Sequence, residues 1–236
     1  MKPNHRTRKD QPELPPQAGE NYLYRAFGEK AVLIPIPSGS KQATIKGWQK
    51  TTLAQTQRPE YQKRLSNGCN IAILNGPPSA GLCSIDIDDD RYLLEFLKLN
   101  PGLKGTTKSF GRRGCNFWVQ VTGDYPQSVY KITTPDAKTP KGIAKVGEWR
   151  SGGGYTIVHG THPEGGHYEV VGRRPREIAF SDIRFPEGWK LPWEEATPAP
   201  FSSSPTSSIS PDTPSAPPET PNTSYTTTPL HPYTPT

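Results

Sequence analysis

The run from Leu82 to Asp90, LCSIDIDDD, constrains the fold of this chain more than any other segment. Its first part alternates apolar and polar side chains, which is typical of a half-buried β-strand. Successive strand side chains point to opposite faces, so Asp86 and Asp88 are expected on the face that also carries Ser84. Two carboxylates on one face repel each other where water is scarce, and a divalent cation is the usual compensation. The pattern therefore predicts a magnesium or manganese site.

A second interpretation of the same run is purely structural. Asp89 or Asp90 can act as the N-cap of a helix that follows at Arg91–Leu99. In that case the acidic residues only end the strand and begin the helix. Spacing alone does not distinguish a metal site from a helix cap.

Both ends of the chain differ in composition from its middle. In residues 197–236, 29 of 40 residues are Pro, Ser or Thr, and this segment contains two acids but no Lys or Arg. Such a segment cannot bury enough apolar surface to offset its ordering entropy, so it is predicted to be a disordered tail. Residues 1–18 are predicted to form a basic disordered arm, and residues 19–196 a single domain.

The net charge indicates the class of partner. The whole chain has a formal charge of +6 and the tail carries −2, so the domain and its N-terminal arm together carry +8. A basic domain favours polyanions, and nucleic acid or nucleotides are the natural candidates. No apolar run approaches the ~18 residues that cross a bilayer, and no apolar stretch follows the basic N-terminus, so neither membrane insertion nor secretion is predicted. Three cysteines, which cannot all pair, indicate reduced thiols in a cytoplasmic protein.

Between the two ends, strand-like segments outnumber helical ones. Helices are predicted at Glu20–Phe27 and Arg91–Leu99, and a polar loop between Ile36 and Asn70. In addition to the acidic strand, apolar patterning between Gly-rich turns predicts strands at Ala31–Ile36, Asn70–Leu74, Cys115–Val121, Ala144–Arg150, Tyr155–Val158 and Tyr168–Val171. This mixture predicts an α+β domain with a largely antiparallel sheet.

Six short motifs follow one another along this domain. They are KGW at 46–48, NIAILNG at 70–76, SIDID at 84–88, RRG at 112–114, GEWRSGGGY at 147–155, and Tyr168. In this order they resemble the N-terminal domain of bifunctional DNA primase/polymerases, in the archaeo-eukaryotic primase superfamily, over roughly residues 20–195. The resemblance implies an RRM-like, mostly antiparallel sheet with flanking helices. It also implies a template-dependent nucleotidyltransferase that uses DNA, nucleoside triphosphates and Mg or Mn.

The resemblance assigns catalytic and metal-binding roles to three acids. The family's acidic–hydrophobic–acidic motif falls on Asp86-Ile87-Asp88, and its single acid before a Gly-rich hairpin falls on Glu148. Phosphoryl transfer with two metals needs oxygen ligands around cations about 3.5–4 Å apart, and carboxylates are suitable ligands. Without the resemblance, Glu148 would be only an exposed strand acid.

One position departs from the family pattern. Relatives have a small polar residue and then a histidine that contacts the nucleotide's phosphates, whereas this chain has RGCNFW at 113–118, with Asn116 in the histidine position. An asparagine amide donates a hydrogen bond, but it carries no charge and transfers no proton at neutral pH. Loss of a charge-assisted contact costs about 1.5–3 kcal/mol, or roughly ten- to hundredfold in binding or rate. Reduced activity is therefore expected.

Three arginines are candidate nucleotide ligands that offset this loss: Arg112, Arg113 and Arg150. A guanidinium group matches phosphate geometry through two parallel hydrogen bonds. Arg150 lies two residues after Glu148, so the two side chains are expected on the same sheet face. The alternative, most of all for Arg112, is a solvated arginine on a basic surface.

The remaining histidines and two of the tryptophans have ordinary structural interpretations. His159, His162 and His167 are close in sequence, but their spacing fits no common zinc site, and a hairpin is the preferred interpretation. Trp118 is predicted in the core. Trp149 alternates with Glu148 and Arg150 and is predicted to face away from the site.

Two alternatives to a polymerase stay open at this level. The first is a catalytically degenerate primase-like module that binds DNA or nucleotide in replication. Asn116 favours it. Relatives often carry a fused helicase, and none is expected here, which also favours a binding module and implies a separate replicative helicase as a partner. The second is a metal-dependent nuclease that uses the same acids, although the order of segments disfavours it.

Overall fold

The structure is a computed structural model that describes residues 21–139 and 142–195. The predicted arm, residues 1–18, and the predicted tail, residues 197–236, lie outside the described residues. The described strands are β1 (Leu33–Ile36), β2 (Asn70–Leu74), β3 (Leu82–Ile87), β4 (Lys108–Phe110), β5 (Cys115–Thr122), β6 (Val129–Thr139), β7 (Gly142–Arg150), β8 (Tyr155–His159), β9 (Glu169–Val171) and β10 (Arg176–Ala179). The described helices are α1 (Asn21–Phe27), α2 (Leu53–Thr56), α3 (Pro59–Leu65), α4 (Asp90–Leu99) and α5 (Pro192–Glu195).

The strands form two sheets. The larger sheet has the order β6-β7-β3-β5-β4-β9, and β10 adds to it by pairing with β5. The smaller sheet has the order β1-β2-β8. All pairs are antiparallel except that of β5 with β10, so the predicted α+β class with a mostly antiparallel sheet is confirmed. Among the described helices, none has both the length and the apolar character needed to span a membrane.

One face of the larger sheet is covered by α4 and the C-terminal segment. Ile85 and Ile87 of β3 project to this face and are fully buried with Phe96 of α4 and Trp149 of β7. Burial of such side chains is worth about 1.5–3 kcal/mol each. Trp149 therefore faces away from the acids, as its alternation with Glu148 predicts.

The other face of β3 packs toward the smaller sheet at one end and carries the acids at the other. Leu82 begins the strand in a cluster with Trp118 of β5 and Ile73 of β2. Trp118 is fully buried, which confirms its predicted place in the core. Along this face, β3 therefore carries a buried apolar side chain at Leu82 and a carboxylate at Asp86.

Three regions differ from the sequence-based expectation. The predicted polar loop contains α2 and α3, which are too short to show a helical period; Thr52 and Gln55 form a capping box at the first of them. Strand β6 was not predicted because it is polar and contains Pro135. Pro135 is tolerated because β6 lies at the sheet edge, where its register with β7 shifts between Thr134 and Lys138. The short strands β4 and β10 were also missed.

Asp89 is the N-cap of α4. Its carboxylate accepts a hydrogen bond from the backbone N–H of Arg91 (2.9 Å) and pairs with the Arg91 guanidinium. The structural interpretation of the acidic run is therefore correct for Asp89, whereas Asp86 and Asp88 lie before the helix and make different contacts.

Two glycines let the neighbouring backbones approach the end of β3. A Cβ atom at Gly147 of β7 would lie 1.8 Å from the carbonyl oxygen of Asp86. On the other side, a Cβ atom at Gly114 would lie 1.9 Å from the carbonyl oxygen of Ile87, and Gly114 has a φ of +68°. Both neighbours of β3 can therefore pack tightly beside the acidic residues only because these positions lack side chains.

Gly147→Ala is expected to lower the free energy of unfolding by about 1–3 kcal/mol, because the new methyl group forces β7 away from β3. The measurement is the urea midpoint with an unchanged m-value. Gly105→Ala is the matched control, since a Cβ atom there has no heavy atom within 4 Å. Equal midpoints for the two variants would contradict the close approach.

Candidate active site

Three adjacent strands bring the predicted site residues together. In the β3–β7 pair Asp86 lies directly opposite Glu148, and in the β3–β5 pair it lies directly opposite Asn116. Directly opposed residues on neighbouring strands share a sheet face. Asp88 follows one residue after the end of β3. Residues that are distant in sequence are therefore side by side at one end of the central strand.

Arg150 joins two of the three carboxylates. Its Nη2 donates to Asp86 Oδ2 at 2.7 Å, and its Nε donates to Glu148 Oε2 at 2.8 Å. The Arg150 side chain is only 22% exposed. The expected common face of Arg150 and Glu148 is confirmed, but the guanidinium binds the acids of the chain itself rather than pointing freely into solvent.

Lys145 joins the third carboxylate to this group. Its ammonium lies 2.9 Å from Asp88 Oδ2 and 2.9 Å from Glu148 Oε1. Glu148 therefore uses both carboxylate oxygens for cations, one for Lys145 and one for Arg150. Sequence reasoning missed Lys145, although it is as close to the acids as Arg150 is.

A β-bulge explains why Lys145 was missed. Lys145 and Glu148 are three residues apart, and in a regular strand they would point to opposite faces. In the structure Ile132 pairs with Gly147 and Thr133 with Lys145, so Val146 has no partner on β6. The Val146 carbonyl instead accepts a hydrogen bond from the backbone N–H of Asp88 (2.9 Å). This extra residue returns Lys145 to the face of the acids, an effect that bulges commonly have near active sites.

The pKa values reflect burial and these ion pairs. Burial raises the pKa of Asp86 to about 6, although the Arg150 guanidinium opposes the rise. For Glu148, burial would raise the pKa, but Arg150 and Lys145 outweigh it and hold the pKa below its usual value. Burial would lower the pKa of Lys145, but its hydrogen bonds to Glu148 and Asp88 raise it. Lys145 and Glu148 are therefore both charged at neutral pH.

The three acids are of the chemical type that binds divalent ions. Carboxylate oxygens are the ligands that Mg²⁺ and Mn²⁺ prefer. Within residues 21–139 and 142–195, however, no group of three or more His, Cys, Asp or Glu side chains has the arrangement of a metal site. Asp86, Asp88 and Glu148 are bound to Arg150 and Lys145 instead. A metal that uses all three acids requires at least one of these two cations to move.

Asn116 has an unsatisfied polar atom beside Asp86. Its Oδ1 is buried and has no hydrogen-bond partner among the described residues. Its neighbour on the other side, across the β4–β5 pair, is Ser109. Ser109 accepts a hydrogen bond from the Trp118 indole (2.9 Å) and is thus committed to the core. Asn116 lines the cleft, and its unpartnered Oδ1 can accept a hydrogen bond from a donor on a bound molecule.

Asp86 and Asp88 line an open cleft of about 470 Å³. Five cationic side chains line it: Lys41, Arg112, Arg113, Lys145 and Arg150. A cleft with this charge attracts phosphorylated ligands.

The two arginines of the RRG motif lie at the border of the cleft. Both are exposed, and Arg112 forms an ion pair with Glu164, which also lines the cleft. That pair is well exposed and contributes little to stability. Arg112 and Arg113 are thus placed where they can reach an anion that enters the cleft.

A buried hydrogen-bond network fixes the back of the cleft. Thr156 of β8 donates to Asn75 Oδ1 (3.0 Å), the Asn75 amide donates to Ser84 Oγ (3.4 Å), and the hydroxyls of Ser84 and Thr156 are 3.1 Å apart. Ser84 lies two residues before Asp86 on the same face of β3. The network thereby joins the smaller sheet to the strand that carries the acids.

The three histidines occupy separate environments. His162 lines the cleft, with its ring 5.5 Å from that of Tyr168. Thr161 and His167 form a bridge that closes a hairpin, as predicted for this region. His159 accepts or donates a hydrogen bond at Nδ1 with the Tyr22 hydroxyl (2.8 Å).

Comparison with known proteins gives one family. The model of the bifunctional DNA primase/polymerase N-terminal domain matches residues 24–181. This match covers the acids, Asn116 and the three arginines, and spans most of the described chain. No curated protein matches the sequence.

Arg150→Met is expected to lower the free energy of unfolding by about 3 kcal/mol, because it leaves two partly buried carboxylates facing each other. The measurement is the urea midpoint at pH 7. Adding Asp86→Asn should recover part of the loss, with a coupling free energy of about 1–3 kcal/mol.

Arg91→Met is the matched control for this cycle, since Arg91 pairs with an aspartate but is 77% exposed. Its midpoint should be nearly unchanged. If the two arginine variants lose equal stability, Arg150 does not hold the acids together.

Proposed function

Because this chain belongs to the family of bifunctional DNA primase/polymerase N-terminal domains, we propose that it is a template-dependent nucleotidyltransferase that joins nucleotides on DNA. One observation carries the proposal. Asp86, Asp88 and Glu148, which are distant in sequence, lie together at the end of the central strand and share the cations Arg150 and Lys145. Asp86 and Asp88 line a cleft whose other charged side chains are mostly basic.

The acids are proposed to hold divalent ions, Mg or Mn. A bound ion would lower the pKa of the attacking hydroxyl and neutralise the charge of the triphosphate and of the departing pyrophosphate. Asp86 is mostly buried, so water competes weakly for its oxygens and its position is fixed by β5 and β7. Asp88 lies beyond the strand and is more exposed, which lets it adjust to a ligand.

The basic residues are proposed to bind the nucleotide. The Asn116 amide can donate one hydrogen bond to a phosphate oxygen, without the charge that a histidine provides. Arg112 and Arg113 line the cleft and are exposed, and Arg112 can exchange the exposed Glu164 for a phosphate at little cost. Arg150 orients Asp86 and Glu148 toward each other. Template DNA would be attracted by the net charge of +6.

Purified protein with a DNA template, nucleotides and Mn²⁺ is expected to make short products. Asp86→Asn and Asp88→Asn should each reduce product formation by more than about a hundredfold, since each removes an anionic metal ligand. The products are measured on a denaturing gel. Asp124→Asn is the control, because it removes an exposed acid from the turn between β5 and β6 and should leave the rate unchanged. Similar rates for all variants would contradict the assignment.

Asn116→His is expected to raise the rate by roughly ten- to hundredfold, because it restores a charge-assisted contact to phosphate. The gain should appear below about pH 7, where histidine is protonated. If the natural chain makes no product while Asn116→His does, the natural chain is not an active polymerase.

A binding module is the second candidate, and one observation favours it. Arg150 and Lys145 already balance most of the charge of the three acids, so the fold does not need a metal. DNA binding that is independent of metal, with the same affinity in Asp86→Ala, would support this function. Loss of DNA or nucleotide affinity on chelation of metal would exclude it.

A further inference from the structure

We propose that Lys145 is a built-in counter-cation that must leave the Asp88–Glu148 pair before a divalent ion can bind there, and that it thereby limits the metal affinity of the site. This inference deepens the proposed function and rests on it. It concerns a residue outside the motifs that carry the family resemblance.

The contacts of Glu148 are the first reason. Oε1 accepts from Lys145 and Oε2 accepts from Arg150, so a metal at either oxygen would lie beside a positive charge while both cations are in place. Asp88 also gives one oxygen to Lys145. A divalent ion that uses Asp88 and Glu148 together therefore takes the position that the ammonium occupies.

The two cations differ in how easily they can leave. Arg150 is 22% exposed and is held by two hydrogen bonds, one of them to the buried Asp86. Lys145 is 37% exposed, and its ammonium is a compact, well-hydrated charge on a flexible stem. Lys145 can therefore return to water at a lower cost than Arg150, whose removal would leave Asp86 without a partner.

The net charge of the site also indicates that Lys145 leaves when a divalent ion binds. With both cations bound, the three carboxylates retain one net negative charge, which a divalent ion would overcompensate. After Lys145 withdraws, the acids and Arg150 together carry two negative charges, which one divalent ion neutralises. Exchange of Lys145 for a single divalent ion thus gives a neutral site, whereas addition of an ion beside Lys145 places two cations in contact.

The β-bulge at Val146 makes this arrangement possible. It turns Lys145 to the side of the acids, and it is itself held by the backbone N–H of Asp88. The counter-cation and one of its carboxylate partners are therefore linked through the main chain, and the ammonium remains near the site after it has been displaced.

The test is Mn²⁺ binding to the purified full chain without nucleotide or DNA, measured by the loss of the free Mn²⁺ paramagnetic resonance signal. Lys145→Met removes the ammonium and keeps an unbranched stem. We expect it to lower the dissociation constant at least about tenfold relative to the natural chain. Lys145→Arg keeps a cation at the same position and should give no gain.

Lys131→Met is the matched control. Lys131 lies on β6 directly opposite Glu148 and is exposed, so its replacement changes the net charge by the same amount at a neighbouring position. Equal gains for Lys131→Met and Lys145→Met would show a general charge effect and overturn the proposal. Unchanged or weaker binding by Lys145→Met would also overturn it. Lys145→Gln serves in its place if the methionine variant has a lowered urea midpoint.

Product formation by the same preparations separates the two proposals. Tighter Mn²⁺ binding by Lys145→Met without any product supports the counter-cation and contradicts the polymerase. Product from the natural chain, with equal Mn²⁺ affinities for the natural chain and Lys145→Met, contradicts only the counter-cation. Absence of Mn²⁺ binding by every variant contradicts both.

Discussion

Mutual repulsion of three carboxylates at the end of β3 is the constraint on which the rest of the site depends. Asp86 and Glu148 lie directly opposite each other on neighbouring strands, and Asp88 follows two residues after Asp86. Burial at this place weakens the screening of their charges by water. Arg150 and Lys145 stabilise this arrangement, each by bridging two of the acids. An active site for metal-dependent chemistry needs concentrated negative charge, and a protein that folds before the metal arrives must neutralise that charge by other means.

Much of the fold could be predicted, because the patterns that define it are local. The alternation in LCSIDI marks β3, and the polar and apolar residues of β7 place Trp149 and Glu148 on opposite faces. The edge strand β6 could not be predicted in this way, since Pro135 and its polar neighbours lack a strand pattern. It forms because β7 offers it an unpaired edge, and pairing of this kind depends on tertiary structure.

The candidate site, like the fold, could be predicted from the sequence only in part. Sequence order and family resemblance indicated Asp86, Asp88, Glu148 and Asn116, and the structure places these residues at one end of the central strand. Their chemical roles stay predictions. Arg150 was expected to serve the nucleotide, whereas in the structure it binds two acids of its own chain. Of the two interpretations of the acidic run, the helix cap is confirmed at Asp89, and the metal site stays a prediction for Asp86 and Asp88.

The sequence by itself determined the class of the fold, the family, and the acids that a strand pattern and a motif can mark, because these depend on residue type and on the period of two along a strand. Only the tertiary structure decided which cations neutralise those acids. Lys145 reaches them because the register between β6 and β7 shifts at Val146, and a shift of one residue reverses the face of every side chain beyond it. Nothing in the local sequence of β7 marks that shift, since it arises from pairing with two neighbouring strands.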